Sequence, residues 1–364
     1  MKRRRVTIRD VAERAGVSTG AASTALNPES TGTVSDEIRD QVLAAARELG
    51  YQRRERAPRQ GPLVAVCGNY DNPDPLAPFN NEVMLGLFRG AQEAGVDLFF
   101  LSDRFLRARR ESADYYLERT FDVLVAYGVS QEHEEVLRAV GEVRPVVTLF
   151  YTPSEEANTV ASVDTDNDAI GRLAATELLS CGYDFYLHVA DSGGNRFSAG
   201  RQRGFEAVIP PEQLLPAIEF PAGIRPWGPE SGEPAAEQLR SLLRDHPGKT
   251  FGVFAWSDAV AIHIVRSPGL PIPDRIGILG CDGLELATLW LRMAGLSTVW
   301  QGVAEIARRG VWLALRRIDG KAPPDQRLVA DDLPRLMTRE STTVPVSRRH
   351  RRENKRIGGE THDE

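Results

Sequence analysis

The sequence predicts a small all-α head of the helix-turn-helix type, followed by an α/β body of two lobes, each built on a doubly wound parallel sheet. Within the first 51 residues, apolar positions recur at helical spacing between capping residues and glycines. Along residues 62–343, apolar strand-like runs alternate with helical segments. The two regions also differ in charge, because residues 1–60 have a net charge of +4 and residues 61–345 a net charge of −12.

The head has a start or stop signal at each expected helix end. Thr7 is an N-cap residue with Asp10 three positions later, which is a capping-box spacing. Gly16 can take the left-handed conformation that ends a helix. A second helix over 19–26 and a third over about 35–49 follow. The second helix of such a motif enters the DNA major groove, so the expected DNA contacts are Thr7, Ser18, Thr19, Gly20, Ala21, Ser23, Thr24 and Asn27. An ordinary three-helix bundle is the alternative, and the basic charge argues against it.

A basic hinge is expected over residues 52–61. Arg53, Arg54 and Arg56 belong to it and are expected to lie along phosphates or in a narrow minor groove. Pro58 removes a backbone donor and disfavours helix before it. The sequence therefore predicts either no hinge helix or a short one.

The body over 62–343 is long enough for two lobes facing each other across a cleft. In open α/β sheets, ligands bind at the carboxyl ends of the strands. The tail over 344–364 is polar and is expected to be disordered. The expected strands are 63–67, 98–101, 123–126, 146–150, 185–190, 216–220, 251–255 and 276–280, and the expected helices are 81–94, 108–119, 132–140, 170–179, 201–208, 234–244, 258–265 and 305–318.

Composition argues against several other classes of protein. The three cysteines are far apart, so neither a disulfide framework nor a metal site is expected. The six histidines are scattered and no phosphate-binding loop is present, so the sequence predicts no enzyme and no cofactor. No secretory signal and no membrane-length apolar run is found. A cytoplasmic, nucleoid-associated protein that does not contact membranes is therefore expected.

Several short segments together resemble the lactose-repressor (LacI/GalR) family of bacterial transcription regulators. In the head they are residues 6–12 (VTIRDVA), 15–18 (AGVS), 26–28 (LNP) and 49–51 (LGY). In the body they are residues 201–205 (RQRGF), 280–282 (GCD) and the closing stretch to Thr342. The resemblance implies a body like the periplasmic binding proteins, with an effector in the cleft.

The resemblance also implies which residues hold the effector. Arg201 falls where the family has an effector-binding arginine, although a salt-bridged surface arginine is the alternative. Asp282 corresponds to an acceptor for ligand hydroxyls, the alternative being a helix cap. Trp227 corresponds to a stacking aromatic, the alternative being loop packing. Phe79 and Asn80 are expected in a loop after the first strand, and the complete expected set is Phe79, Asn80, Arg201, Trp227, Ser257 and Asp282.

Three positions depart from the family pattern. Thr24 stands where the family commonly has a guanine-reading arginine, so a changed operator preference is expected. Ser257 replaces an asparagine and has a shorter reach, which puts that carried-over contact in doubt. Gln60 stands where the family wedges a leucine into the minor groove.

The resemblance implies a ligand-responsive transcriptional regulator that binds double-stranded DNA and is not an enzyme. A repressor is expected, working as a homodimer on a pseudo-palindromic operator. A small-molecule effector is expected in the cleft, with a sugar as the first expectation and a nucleoside as the next. A regulator with a vestigial pocket, controlled by a protein partner, is the alternative. A solute-binding protein for transport is disfavoured by the head and by the missing signal.

Overall fold

The computed structural model describes residues 6–26, 34–49, 51, 61–68, 78–102, 121–191, 196–220, 232–284 and 295–342. The chain divides into two compact units between Gln60 and Gly61. The hinge residues, the helix expected over 108–119 and the tail lie outside the described residues. The expected boundaries at 51, 61 and 343 stay a prediction.

The head consists of α1 (Ile8–Ala15), α2 (Thr19–Ala25) and α3 (Asp36–Leu49). The predicted capping box is confirmed, because the Asp10 backbone donates to Thr7 Oγ1 and the Asp10 carboxylate accepts from the Thr7 backbone. Gly16 has a φ of 66° and ends α1 in the left-handed conformation. The three helices enclose a small core of Val11, Ala12, Ala22, Ala25, Val42, Ala45 and Ala46.

The body alternates strands and helices along the chain, as predicted. Its strands are β1 (Leu63–Gly68), β2 (Asp97–Ser102), β3 (Val123–Tyr127), β4 (Val146–Leu149), β5 (Val160–Thr165), β6 (Phe185–Asp191), β7 (Ile218–Phe220), β8 (Phe251–Ala255), β9 (Ile276–Asp282), β10 (Ser297–Trp300), β11 (Arg327–Ala330) and β12 (Arg335–Met337). Its α-helices are α4 (Pro78–Ala94), α5 (Glu134–Gly141), α6 (Asn167–Cys181), α7 (Arg196–Glu206), α8 (Glu233–Asp245), α9 (Asp258–Arg266) and α10 (Val303–Ile318).

These strands form two six-stranded sheets, one in each lobe. The first-lobe sheet has the order β11-β5-β4-β3-β1-β2, and the second-lobe sheet has the order β12-β10-β9-β8-β6-β7. Every pairing is parallel except the antiparallel pair β10–β12. The central strands β3 and β8 are buried along their whole length. The predicted fold class, two doubly wound parallel sheets behind an all-α head, is confirmed.

The chain passes between the two lobes three times. It crosses after β5, after β10, and between β11 and β12. The sequence does not predict β5, β10, β11 or β12 as strands. β11 and β12 have three or four residues each and expose part of their side chains, so they lack the continuous apolar run of a central strand.

Glycines bring two pairs of helices into backbone contact, one pair in each lobe. In the first lobe, a Cβ on Gly86 of α4 would collide with the Ala304 carbonyl group of α10. In the second lobe, a Cβ on Gly204 of α7 would collide with the Asp168 carbonyl group of α6. This close approach holds the middle of α7 against the start of α6, where the polar groups of the cleft lie.

Candidate DNA-binding and effector sites

The DNA-binding candidate is the outer face of α2. Ser18 caps the helix by accepting the Ala21 backbone N–H at 3.1 Å. Thr19, Gly20 and Ser23 are exposed, whereas Thr24 is half-buried. The outer face therefore offers hydroxyl groups and bare backbone rather than long donors, which limits it to short-range contacts with base edges and phosphates. Asn27 and the hinge arginines Arg53, Arg54 and Arg56 lie outside the described residues.

Arg201 on α7 is the centre of the effector candidate. Its side chain is buried, with 4% of the residue exposed, so the surface salt-bridge alternative is wrong. Its guanidinium donates to Asn167 Oδ1 at 3.1 Å, to Gln301 Oε1 at 3.2 Å and to the Trp256 carbonyl oxygen. These partners come from the start of α6, the end of β10 and the end of β8. The arginine therefore ties together three chain segments at the carboxyl edge of the second-lobe sheet.

Asp282 lies beside this arginine at the end of β9 and is buried. Its Oδ1 accepts a hydrogen bond from Gln301 Nε2 at 2.6 Å. Burial raises its pKa to about 6, and the positive charge of Arg201 opposes that rise. Asp258 at the start of α9 is also buried, and it accepts from Thr298 Oγ1 at 2.6 Å and from the Gly283 backbone at 2.8 Å. Burial and the neighbouring Asp282 raise the pKa of Asp258, so the two carboxyl groups do not both ionise easily.

The opposite wall of the cleft, in the first lobe, is aromatic. The expectation that Phe79 and Asn80 lie in a loop is wrong, because both belong to the first turn of α4. Pro78 explains the difference, since a proline with its fixed φ starts a helix well. Phe79 packs edge-on against Phe150, with ring centroids 5.1 Å apart. Phe150 directly follows β4, so this aromatic pair lies at the carboxyl edge of the first-lobe sheet.

Two residues at the strand ends have unusual backbone conformations. Phe150 has a φ of 59° and Asp282 a φ of 129°, and among the described residues these are the non-glycine positions with positive φ. One lies in each lobe, at or directly after the carboxyl end of a strand, and Phe150 lines the cavity between the lobes. Such conformations cost free energy and cluster at binding sites, which supports a functional role for both positions.

A cavity of about 240 Å³ lies between the lobes. Phe150, Tyr151, Thr152, Asp164, Thr165 and Val329 line it from the first lobe, and Asp166 lies in the connection between the lobes. From the second lobe it is lined by Asn167, Asp168, Phe197, Gly200 and Arg203. It is large enough for a small polar molecule and is walled by aromatic rings and carboxylates.

The sequence missed several residues that the fold brings to the cleft. Gln301, Asn167 and Asp164 are buried polar residues there, and Phe150 and Trp256 add aromatic surface. Each follows a strand or starts a helix, which is the signal that could have found them. Ser257 was predicted to contact the effector, and its Oγ accepts the Val260 backbone N–H at 3.4 Å as the cap of α9. Trp227 lies outside the described residues.

The described residues show neither a metal site nor a membrane span. No group of three or more histidine, cysteine or acidic side chains in the described ranges could hold a metal ion. Within the same ranges, no helix is both long and apolar enough to cross a bilayer. Cys67, Cys181 and Cys281 are buried and form no disulfide bond.

Comparison with known proteins agrees with this architecture. The family described as "Bacterial regulatory proteins, lacI family" matches residues 7–54, and the "Periplasmic binding protein-like domain" matches residues 175–342. The "Ribose operon repressor" of Halalkalibacterium halodurans is 29% identical over 92% of this chain and 97% of that protein. The "HTH-type transcriptional regulator CelR" of Thermobifida fusca is 25% identical over 93% of this chain and 99% of that protein.

Solved structures share the fold across the same length. A "transcriptional regulator CelR-cellobiose complex" is 23% identical, with a TM-score of 0.61, over 93% of this chain and 100% of that one. The "lac repressor dimer bound to operator and the anti-inducer ONPF" is 21% identical, with a TM-score of 0.62, over the same shares. Both curated relatives named above are transcriptional regulators rather than enzymes. With its helix-turn-helix head and its two-lobed periplasmic-binding-protein-like body, this chain is a DNA-binding transcriptional regulator of the lacI family.

Proposed function

We propose that this protein is a repressor that binds a pseudo-palindromic operator as a homodimer and is controlled by a small-molecule effector between its lobes. The buried Arg201 network carries the effector part of this proposal, because it joins three chain segments at the carboxyl edge of the second-lobe sheet, and its member Asn167 lines the cavity between the lobes. A sugar or a related polyhydroxylated molecule suits aromatic walls with carboxylate and amide groups.

A homodimer is supported by exposed apolar surface on the first lobe. Phe88 on α4 is 53% exposed, and Phe99 and Phe100 on β2 are 41% and 37% exposed. β2 is the edge strand of its sheet, and Phe88 and Phe100 pack with ring centroids 6.1 Å apart. An apolar patch on an edge strand is an interaction surface or an aggregation hazard. We assign it to the second copy, since each head reads only one half-site.

Control by the effector requires that the ligand binds one arrangement of the lobes more tightly than the other. The coupling free energy between two such sites is typically about 1–3 kcal/mol, and it is reciprocal. The effector must therefore weaken or strengthen operator binding by the same factor by which the operator changes effector binding.

The test of effector control is thermal melting of the full-length protein against sugars, sugar phosphates and nucleosides, followed by operator titration with each stabilising compound. A ligand at a hundred times its Kd adds about 2.7 kcal/mol of stability. We expect at least one compound to raise the Tm and to change operator affinity. A stabilising compound that leaves operator affinity unchanged, or a flat panel at millimolar concentrations, would contradict effector control and favour control by a protein partner.

Operator reading has a separate test at Thr24, where the half-buried side chain has no bidentate donor pair. We expect Thr24→Arg to introduce a guanine preference at one symmetric pair of operator positions, measured by selection from a random DNA pool. Ser23→Ala on the same helix is the matched control for loss of a hydroxyl. Identical selected sequences for the parent protein and Thr24→Arg would contradict the assignment of α2 as the reading helix.

A further inference from the structure

The cavity between the lobes is acidic. Asp164, Asp166 and Asp168 line it together with one basic residue, Arg203. Arg203 donates to both oxygens of Asp168, at 3.2 Å and 2.9 Å, and so neutralises that carboxylate. Asp166 forms an ion pair with Arg172 at 3.5 Å, so Asp164 is the carboxylate of this cavity of about 240 Å³ that has no ion pair among the described residues.

Asp164 is a buried carboxylate in the wall of this cavity. It is 9% exposed, and its oxygens accept from the Thr165 backbone, from Asn167 Nδ2 and from Thr152 Oγ1, all of them uncharged donors. Among the described residues, no lysine or arginine forms an ion pair with it. Burial raises the pKa of Asp164, and the hydrogen bonds to it and the nearby positive charge of Arg201 oppose that rise.

The nearest buried cation does not remedy this deficit. Arg201 has its three donor directions occupied by Asn167, Gln301 and Trp256. His188 is buried beside it, and burial lowers its pKa to about 4, so it adds no positive charge at neutral pH. Arg201 therefore acts on Asp164 through its charge but not through an ion pair, and a direct ionic partner for Asp164 would have to come from a ligand.

An independent observation points to a ligand with hydrogen-bond donors. Thr165 also lines the cavity and is 5% exposed, yet its Oγ1 has no hydrogen-bond partner among the described residues. A buried hydroxyl without a partner costs free energy. The rings of Phe150 and Phe197 line the same space, and a guanidinium, that of Arg201, already lies 5.3 Å from the centre of the Phe197 ring. These rings therefore provide the aromatic surface that favours a positive charge.

We propose that the effector carries a protonated amine, which is held by the Asp164 carboxylate and the Thr165 hydroxyl and lies against the aromatic rings of the cavity. This inference rests on the proposed function, because it names the chemical class of the effector of that same site. An ammonium group brings three donors and one positive charge. Both acceptors would be satisfied by one such group. A phosphate or carboxylate at this position would instead be repelled by the Asp164 carboxylate.

The experiment is a charge-matched set of hexoses titrated into the full-length protein by calorimetry. The set contains glucosamine, galactosamine and mannosamine, their N-acetyl derivatives, glucose and glucuronate. We expect at least one hexosamine to bind at least tenfold more tightly than its N-acetyl derivative and than glucose. Glucuronate is expected to bind most weakly.

Asp164→Asn removes the charge and keeps the shape of the side chain. We expect it to weaken hexosamine binding at least tenfold while changing the binding of neutral hexoses less than twofold. The exposed Asp274→Asn is the matched control and is expected to change neither. Thr165→Val is a second variant, which is expected to fold at least as well because it removes an unpaired hydroxyl, and to weaken hexosamine binding severalfold.

The inference is overturned if no hexosamine binds, if a neutral or anionic hexose binds as tightly, or if Asp164→Asn leaves hexosamine binding intact. The proposed function has its own readout in operator titration. A neutral or anionic compound that changes operator affinity would contradict the proposal of an amine-bearing effector and would leave the proposed repressor function intact. If the protein bound no DNA sequence, the proposed repressor function itself would be contradicted.

Discussion

The two lobes share one sheet architecture but present opposite chemistry to the cleft between them. The second lobe offers buried polar groups, Arg201, Asp282 and Gln301, that are already hydrogen-bonded to one another. The first lobe offers the aromatic pair Phe79 and Phe150, with Asp164 beside it. The polar wall is fixed by its own hydrogen bonds, so it is suited to orient a ligand, whereas the aromatic wall is suited to cover it.

In the second lobe, the residues proposed to bind the ligand also stabilise the fold, and this is less so in the first lobe. A change to its polar wall breaks a network that also holds three chain segments together. A change to the aromatic wall removes surface from the ligand and little else. Four predictions follow in order of their expected effect on the free energy of unfolding.

Arg201→Met is expected to have the largest effect. It leaves Asn167, Gln301 and the Trp256 carbonyl group without their donor and leaves Asp282 without its neighbouring cation. Removing one partner of such a buried charged group typically costs about 3–5 kcal/mol. Urea denaturation followed by tryptophan fluorescence measures it. Arg203→Met, two residues along α7, is the control; the Arg203 side chain is 64% exposed, so its loss is expected to cost about 0–1 kcal/mol. Equal losses for both variants would refute the central role of Arg201.

Gly204→Ala and Gly86→Ala test whether the helix contacts differ between the lobes. Each added methyl group meets the carbonyl group of a neighbouring helix, Asp168 in one case and Ala304 in the other. Overpacking of this kind costs about 1–3 kcal/mol, so both variants are expected to be less stable in urea. Only Gly204→Ala shifts the helix that carries Arg201. We expect it alone to weaken effector binding, and an equal loss in Gly86→Ala would show that both lobes position the ligand.

Asp282→Asn tests the polar wall through pH. Burial raises the folded pKa of Asp282 from 3.8 to about 6, so between these values the folded state binds more protons than the unfolded state. Stability from this group is therefore full below about pH 4 and is lost as the pH rises to about 6. We expect the parent protein to lose about 3 kcal/mol of this contribution over that window and Asp282→Asn to lose less.

Asp332→Asn is the control for the pH measurement. The hydrogen bond from Arg309 lowers the pKa of Asp332, so its contribution is present above the unfolded pKa and falls as the pH drops. The two variants should change the pH slope in opposite directions. An unchanged slope in Asp282→Asn would place the titration on another group, with Asp258 as the neighbour to test next.

Phe150→Asn is expected to have the smallest effect on stability. Asparagine tolerates the φ of 59° better than phenylalanine, and this gain offsets part of the lost ring contact with Phe79, worth about 0.5–1.5 kcal/mol. We expect a net change within about 1 kcal/mol in urea and a roughly tenfold loss of effector affinity by calorimetry. Phe79→Asn loses the same ring pair without relief of backbone strain, so it should be the less stable variant. The reverse order would contradict the strain at Phe150.

Local signals predicted the head and the central strands well. The capping box at Thr7, the glycine at position 16 and the apolar runs of β3 and β8 depend on neighbours within a few residues. The family resemblance points to Arg201 and Asp282, and the structure shows that both are buried and that both hydrogen-bond to Gln301. Their contact with an effector stays a prediction.

Features set by distant contacts were harder to predict. Gln301 meets Arg201 across 100 positions of sequence, and the buried Asp164 accepts a hydrogen bond from Thr152, which lies 12 positions earlier. The short strands β11 and β12 are extended because they pair with β5 and β10 at the sheet edges. Three or four residues are too few to show the alternation of apolar and polar side chains that would predict a strand. The sequence predicts a loop at Phe79 and Asn80, whereas Pro78 starts the helix that contains them.

The order of the strands has a consequence for synthesis on the ribosome. β11 pairs with β5 of the first lobe and β12 pairs with β10 of the second, and both come from the last 16 residues of the described chain. The nascent first lobe therefore waits for some 160 further residues before its sheet is complete. A chain that stops before Arg327 would lack an edge strand in both lobes at once, exposing two unpaired backbone edges. Incomplete chains of this protein are accordingly expected to aggregate or to be degraded rather than to persist as a folded single lobe.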